Sequence, residues 1–304
     1  MSATIGDGAV VRTHRIAAAP ISWGVCEVPG WGFQMSAERV MSEAAGLGIT
    51  AVESGPDGFL PVPPEAASRL LAAHGMQMIA GFVPVVLHDP AVWPGQLALV
   101  ERRARELANA KATVLLLAAI TERDPFVTQI ELEAREWRRL FDTIERVDDI
   151  AARHGLRLAL HPHHGTAIET REQVLRFLDG SDADLCLDTG HLRLGGADPV
   201  EIAQEAKGRI GHVHLKDVDA DLASSTLLRK RGYVDAVKAG LFRTLGDGDA
   251  RVARAIEVLG ESGYDGWYVI ERDVCLDADP GSGEGPVESV GQDLAFLRSS
   301  LAHR

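Results

Sequence analysis

The chain has 304 residues, and its 31 Lys and Arg against 44 Asp and Glu give a formal net charge of −13. This acidic balance argues against a protein that binds a nucleic-acid backbone, because such a protein needs positive charge along its contact face. A hydrophobic fraction of 46% and a charged fraction of 25% are ordinary for a globular chain and exclude disorder on a large scale.

Short β-rich runs alternate with helical stretches along the chain, and this alternation predicts a parallel sheet. The predicted strands are residues 15–23, 50–54, 77–83, 113–119, 157–163, 183–188, 210–216 and 267–271. The predicted helices are residues 37–47, 64–74, 96–110, 129–154, 171–178, 199–207, 250–262 and 287–301. Eight strand–helix pairs predict the α/β class and a closed (β/α)8 barrel, the TIM barrel, as one domain over residues 15–304.

Residues typical of helix ends support these boundaries. Ser36, Thr170 and Asp198 stand where N-caps are expected, and Pro199 takes the first helical position after the last of them. A glycine follows several helices, where a left-handed backbone costs little: Gly48, Gly75, Gly155 and Gly263.

Residues 218–249 interrupt the alternation after the seventh strand. This segment is long against the roughly 2–6 residues usual for such a loop, and it contains helical pieces at residues 221–231 and 234–239. We predict a lid over the mouth of the barrel. A surface elaboration and an oligomer contact are the alternatives.

The first residues, the apolar runs and the cysteines do not suggest export or a membrane. Residues 114–120, the longest apolar run, are far short of the roughly 20 residues that span a bilayer. Residues 1–14 lack the apolar core of a signal peptide and are expected to be flexible. Cys26, Cys186 and Cys275 are too few and too scattered for a disulfide framework, so we expect a cytoplasmic protein with no membrane partner.

Polar residues end four consecutive strands, five to eight, where the active site of such a barrel lies. His161, Asp188, His214 and Glu271 share the alternation that points side chains inward. Two imidazoles and two carboxylates suit a divalent cation. We expect Mn²⁺ or Co²⁺, with Mg²⁺, Fe²⁺ and Zn²⁺ also compatible.

Single residues of this kind have a simpler explanation, because a buried histidine is usually hydrogen-bonded in the core and a strand-end aspartate often caps a helix. Four of them on adjacent strands favour the metal site. His163 and His212 have the same inward alternation as His161 and His214, so either can replace its neighbour as a ligand. His214 is preferred to His212 because it lies nearer the mouth.

These residues resemble the motifs of the xylose-isomerase-like barrel superfamily of sugar isomerases and epimerases. The resemblance rests on residues 187–191 (LDTGH), 212–217 (HVHLKD) and 266–271 (GWYVIE), and it covers essentially the whole chain. Residues 20–24, 53–61 and 161–166 look most like the inosose dehydratases of myo-inositol catabolism.

The resemblance implies that Asp188, His214 and Glu271 are metal ligands and that His191 touches a substrate oxygen. His161 stands where the ketose epimerases of the superfamily have a glutamate that binds metal and acts as a base. An epimerase needs proton-transfer groups on both faces of the carbon it inverts, whereas a dehydratase needs one base and one acid. The replacement therefore favours elimination, although a histidine can also move protons.

The predicted function is that of a metal-dependent dehydratase acting on a cyclic polyol ketone such as 2-keto-myo-inositol (scyllo-inosose). Glu271, or Glu53 beside it, is the predicted base, and His191 or Lys216 protonates the departing hydroxide. For Lys216, an ion pair with Asp188 or Asp217 is an equally simple role. The predicted substrate contacts are Trp23, His163, His191 and Lys216.

A metal-dependent ketose isomerase or 3-epimerase is the main alternative, and a non-catalytic sugar-binding barrel is a remote one. The superfamily also includes abasic-site DNA endonucleases, which the net charge of −13 disfavours. The expected partner is a small polyol or keto-sugar, and the resemblance suggests a homo-oligomer.

Overall fold

The computed structural model describes residues 15–62, 64–121 and 130–302, and the statements below concern these residues. Eight parallel strands close into a barrel in the order β1-β10-β7-β6-β5-β4-β3-β2. They are β1 (Arg15–Ala18), β2 (Ala51–Glu53), β3 (Gln77–Val86), β4 (Val114–Ile120), β5 (Arg157–Leu160), β6 (Asp184–Asp188), β7 (Ile210–Leu215) and β10 (Trp267–Ile270). The predicted (β/α)8 barrel is confirmed.

Helices surround this barrel and follow each of its strands along the chain. They are α1 (Ala37–Gly46), α2 (Pro64–Ala73), α3 (Trp93–Asn109), α4 (Ala134–Arg153), α5 (Arg171–Gly180), α6 (Thr189–Leu194), α7 (Pro199–Glu205), α8 (Ala220–Leu227), α9 (Tyr233–Lys238), α10 (Val252–Glu261) and α11 (Pro286–Ala302). The central strands are buried on both faces, as in β4, where six of seven residues are buried.

The predicted helix starts at Ser36, Thr170 and Asp198 are confirmed. The Ser36 side chain accepts a hydrogen bond from the Arg39 amide, and Thr170 forms a capping box with Gln173. The Asp198 carboxylate accepts from the amide of Val200 at 2.9 Å. Each cap satisfies a backbone donor that a helix leaves unpaired at its first turn.

The first strand is shorter than predicted. It ends at Ala18, and Pro20–Trp23 form a 3-10 helix instead. Pro20 has no amide hydrogen for a sheet ladder, and its fixed φ suits the start of a helical turn. The prediction that Trp23 ends the first strand is therefore wrong, because Trp23 lies in the 3-10 helix.

A further helix, α6, was not predicted. It begins directly after Asp188, whose Oδ1 accepts a hydrogen bond from the backbone amide of His191 at 2.8 Å. The carboxylate thus caps a helix with one oxygen, and its other oxygen faces the mouth of the barrel.

The segment after β7 contains the two expected helical pieces, α8 and α9. They lie between β8 (Asp217–Val218) and β9 (Phe242–Arg243), which pair in antiparallel fashion. The buried Asp217 carboxylate accepts hydrogen bonds from the amides of Gly246, Gly248 and Ala250 at 2.9, 3.1 and 2.9 Å. The Asp217 side chain therefore holds both ends of the segment together. The role of the segment as a lid stays a prediction.

The predicted flexible N-terminus, residues 1–14, lies outside the described residues. Among the helices that the structure does describe, none combines the length and hydrophobicity needed to cross a bilayer.

Candidate metal and active site

The four predicted metal ligands meet at the carboxyl end of the barrel, and all four are buried. His161 Nε2 lies 3.1 Å from Asp188 Oδ2. The same oxygen lies 3.4 Å from His214 Nδ1, which in turn is 2.8 Å from Glu271 Oε2. Successive donor atoms therefore approach one another across four neighbouring strands.

These separations fit a shared cation. Ligand atoms about 2.1 Å from one ion and at right angles to each other are about 3 Å apart. Asp188, His214 and Glu271 form one group whose ligand atoms all lie within 4.8 Å of one another, and His161 joins Asp188 and His191 in a second group. Glu271 Oε2 and Asp188 Oδ2 lie 2.8 and 3.4 Å from His214 Nδ1, yet neither contact has the geometry of a hydrogen bond among the described atoms. A buried ring nitrogen beside two carboxylates in this way is suited to bind a metal ion.

The charge around this cluster also suits a cation. Glu53, Asp188, Glu271 and Asp273 are buried carboxylates within the same region, and Lys216 is the buried lysine among them. Burial raises the pKa of Glu271, but the positive charges of His214 and Lys216 outweigh it and lower the pKa to about 2. Burial lowers the pKa of His214, yet Cys186 and the carboxylates of Glu271 and Glu53 together hold it well above its usual value. The site thus concentrates negative charge that a divalent ion would offset.

Glu53 lies beneath the cluster, at the end of β2. Its Oε1 is 2.8 Å from His214 Nε2 and 2.8 Å from His212 Nε2. A carboxylate that accepts the N–H of one ring nitrogen leaves the other free to bind a metal, a common arrangement behind metal-binding histidines. This geometry directs His214 Nδ1 at Asp188 and Glu271. His212 contacts Glu53 instead, and the ligand atoms of Glu53, His212 and His214 form a separate candidate metal-binding group.

Lys216 Nζ is surrounded by acceptors. It lies 2.7 Å from Glu271 Oε1, 2.8 Å from Asp273 Oδ1 and 3.0 Å from His191 Nε2. Burial lowers the pKa of Lys216, but the charges of Asp188, Asp273 and Glu271 outweigh it, so that the side chain is an ammonium. Its distance to Asp188 Oδ2 is 3.6 Å.

The two remaining predicted substrate contacts lie in different surroundings. The His163 ring stands 3.9 Å from that of His191, centroid to centroid, and burial is the largest cause that lowers its pKa to about 3, so it is neutral. Trp23 is fully buried, and its indole N–H donates to Glu43 Oε2 on α1 at 2.9 Å. Its role as a wall for the substrate stays a prediction.

Sequence reasoning missed three residues at this site. Asp273 follows Glu271 by two positions, and the same alternation could have found it. Cys186 points inward two positions before Asp188 and groups with His161 and His214; burial raises its pKa to about 11, so it is a neutral thiol. Tyr233, whose hydroxyl donates to Asp273 Oδ2 at 2.6 Å, comes from the segment after β7, and strand alternation carries no signal for it.

Comparisons with known proteins agree with this architecture. A family profile described as "Xylose isomerase-like TIM barrel" matches residues 41–300. An inosose dehydratase of Geobacillus kaustophilus is 31% identical over 274 residues, which cover 86% of this chain and 88% of that protein.

Solved structures show the same fold. The D-psicose 3-epimerase of Clostridium cellulolyticum H10 superposes with a TM-score of 0.69 at 16% identity, covering 94% of this chain and 99% of that one. A protein named IolI, solved with a zinc atom, gives 0.69 at 13% identity over 95% and 98% of the two chains. The relatives support an enzyme of the lyase type. The chain belongs to the xylose isomerase-like TIM barrel family.

Proposed function

We propose that this chain is a metal-dependent dehydratase of a cyclic polyol ketone such as 2-keto-myo-inositol. The observation that carries the proposal is the buried cluster of Asp188, His214 and Glu271, with the Lys216 ammonium 2.7 Å from Glu271. These residues supply a place for a divalent cation, a carboxylate base and a positive charge within one site. The relative named inosose dehydratase supports the substrate class.

His161, Asp188, His214 and Glu271 are the residues that would hold the cation. When bound there, a divalent ion would polarise a ketone and acidify the neighbouring C–H. Mn²⁺ and Co²⁺ are the ions we propose, since the donor set is nitrogen and oxygen. The zinc atom in the structure of the IolI protein supports a divalent ion in this fold.

Glu271 is the proposed base that removes the α-proton. Burial raises the pKa of Glu271, but His214 and Lys216 lower it to about 2, so its carboxylate is ionised. The Lys216 ammonium, 2.7 Å away, also makes it a weak base, so the reaction depends on a strongly acidified C–H. Glu53, the alternative base, is already engaged by two imidazoles at 2.8 Å.

Lys216 is the proposed group that assists the departing hydroxyl. Its ammonium stabilises the negative charge that develops when the C–H proton leaves, and it can donate a proton to the β-hydroxyl as the C–O bond breaks. His191 Nε2, 3.0 Å from Lys216 Nζ, can take part in the same proton transfer. One water is released, and the proton that Glu271 accepts restores Lys216, so that no oxidant or reductant is needed.

Trp23 and His163 are the remaining proposed substrate contacts. The ring contact between His163 and His191, with centroids 3.9 Å apart, supports this role for His163. The neutral ring of His163 suits a hydrogen bond with a hydroxyl of the substrate, and the indole of Trp23 offers an apolar face to its C–H groups.

Incubation with 2-keto-myo-inositol in D₂O tests the proposal. We expect an absorbing, dehydrated diketone and a requirement for added Mn²⁺ or Co²⁺. Solvent deuterium in an isomeric sugar, after incubation with ketoses instead, would indicate an epimerase. Metal bound in stoichiometric amount with no turnover of any polyol ketone or ketose would indicate a sugar-binding barrel.

A further inference from the structure

The segment between β7 and α10 contributes a tyrosine to the candidate active site. Tyr233 is the first residue of α9 and is buried. Its ring stacks on His164, with centroids 5.0 Å apart and planes at 18°. Its hydroxyl donates to Asp273 Oδ2 at 2.6 Å, while Asp273 Oδ1 accepts from Lys216 Nζ at 2.8 Å. Tyr233 is thus joined to Lys216 through a single carboxylate.

An ion pair fixes where this tyrosine stands. Arg229, four residues earlier, donates to both oxygens of Glu169 at 3.1 and 2.8 Å. Glu169 is 1% exposed and lies in the loop after β5. Arg229 adopts φ 56°, a left-handed conformation that costs a non-glycine residue roughly 1–2 kcal/mol. The two-pronged contact holds the turn between α8 and α9 in this conformation.

The contacts of Lys216 indicate which of its three ammonium hydrogens can act on the substrate. An ammonium has three hydrogens, and three acceptors surround Nζ: Glu271, Asp273 and His191. Glu271 and Asp273 are carboxylates, which hold the ammonium by charge as well as by hydrogen bonds, whereas His191 offers it a single ring nitrogen at 3.0 Å. The hydrogen directed at His191 is therefore the one that a departing hydroxyl can take over.

We propose that Tyr233 is a positioning residue, which holds Asp273 so that the Lys216 ammonium faces the hydroxyl that leaves. The inference rests on the proposed dehydration and adds to it that the segment of residues 218–249 helps to align Lys216. Removal of the α-proton by Glu271 does not need the tyrosine. Departure of the hydroxyl does, since it depends on where Lys216 points.

The two halves of the reaction separate this role from a general loss of structure. If hydroxyl departure is slowed and proton removal is not, the enolate takes a deuteron from D₂O and returns to the ketone. We compare wild type and Tyr233→Phe, both with Mn²⁺, on 2-keto-myo-inositol in D₂O. The measurements are dehydration by absorbance and deuterium in the recovered ketone by NMR.

For Tyr233→Phe we expect kcat for dehydration to fall about 10–100-fold, the effect of a small misplacement of a reacting group. KM should change little, and deuterium exchange should rise relative to dehydration. Tyr264→Phe is the matched control, since its hydroxyl donates to the Trp267 carbonyl at 2.8 Å, outside the mouth. It should keep the wild-type ratio of exchange to dehydration. Arg229→Met should shift this ratio in the same direction as Tyr233→Phe.

A second measurement does not depend on the substrate. Lys216 is 1% exposed, and its modification by acetic anhydride can be followed by peptide mass spectrometry. Tyr233→Phe should speed labelling of Lys216 several-fold, and Tyr264→Phe should not. An unchanged labelling rate, or exchange and dehydration that fall together, would overturn the positioning role. A wild-type chain that fails to dehydrate the ketone would overturn the proposed function, while the labelling would still test whether Tyr233 holds Lys216 through Asp273.

Discussion

Replacement of Glu271 by glutamine separates chemistry from folding at this site. The change removes the charge that lies 2.7 Å from Lys216 Nζ and 2.8 Å from His214 Nδ1. Both cations keep another carboxylate, because Lys216 retains Asp273 at 2.8 Å and His214 retains Glu53 at 2.8 Å. The lost charged contacts should therefore cost about 1.5–3 kcal/mol of unfolding free energy. At roughly 2–4 °C per kcal/mol, the variant stays folded.

Turnover should respond far more strongly than stability. Loss of a general base typically lowers kcat by about 10²–10⁴-fold, and a missing ligand also weakens metal binding. The assay is the initial rate of dehydration of 2-keto-myo-inositol at saturating Mn²⁺, with a thermal melt of the same sample. Glu101→Gln is the control, because Glu101 also contacts two side chains with N–H donors, His154 and Arg153, on the outer helices. Full activity in Glu271→Gln would refute its role as base.

Three further perturbations have defined outcomes. Gly190→Ala should cost about 1–3 kcal/mol and lower turnover, because a Cβ there would lie 2.4 Å from Lys216 Cβ, whereas Gly46→Ala meets nothing within 4 Å and should be neutral or stabilising in a thermal melt. Burial raises the pKa of Glu169, but hydrogen bonds from His164 and Arg229 lower it from 4.5 to about 2. Its stabilisation is therefore complete above pH 4.5 and lost as the pH falls towards 2. The difference in unfolding free energy between wild type and Glu169→Gln should shrink across that interval, and a difference independent of pH would contradict the assignment. Removal of divalent ions by a chelator should abolish turnover and lower Tm, since an ion present at 100 times its Kd adds about 2.7 kcal/mol; a Tm unaffected by both chelator and added Mn²⁺ would count against the site.

Most of the barrel could be predicted because each strand–helix unit is specified by residues that lie close together in the sequence. Each strand is a short apolar run followed by a helix with its own caps, and Thr170 and Asp198 are caps in the structure as expected. The first strand ends at Ala18, earlier than predicted, because the missing amide hydrogen of Pro20 outweighs the apolar pattern of the residues that follow. Helix α6 was missed because Asp188 looks like a strand end and serves as a helix cap as well.

The candidate ligands could be predicted because inward alternation and the common end of parallel strands bring distant residues together. His161 and Glu271 are 110 positions apart in the sequence, yet each approaches a shared neighbour. The position of Tyr233 could not be predicted in this way. It depends on how a long connection folds back, and that is set by the pairing of Arg229 with Glu169, for which the sequence has no periodic signal.

The central claim is that a single cation binds at the mouth of the barrel. An anomalous difference map from a crystal grown with Mn²⁺ tests it most directly. We predict one strong peak about 2.0–2.3 Å from His214 Nδ1 and from carboxylate oxygens of Asp188 and Glu271, with His161 completing the set. A peak on Glu53 and His212 instead, or none at the mouth, would contradict the account.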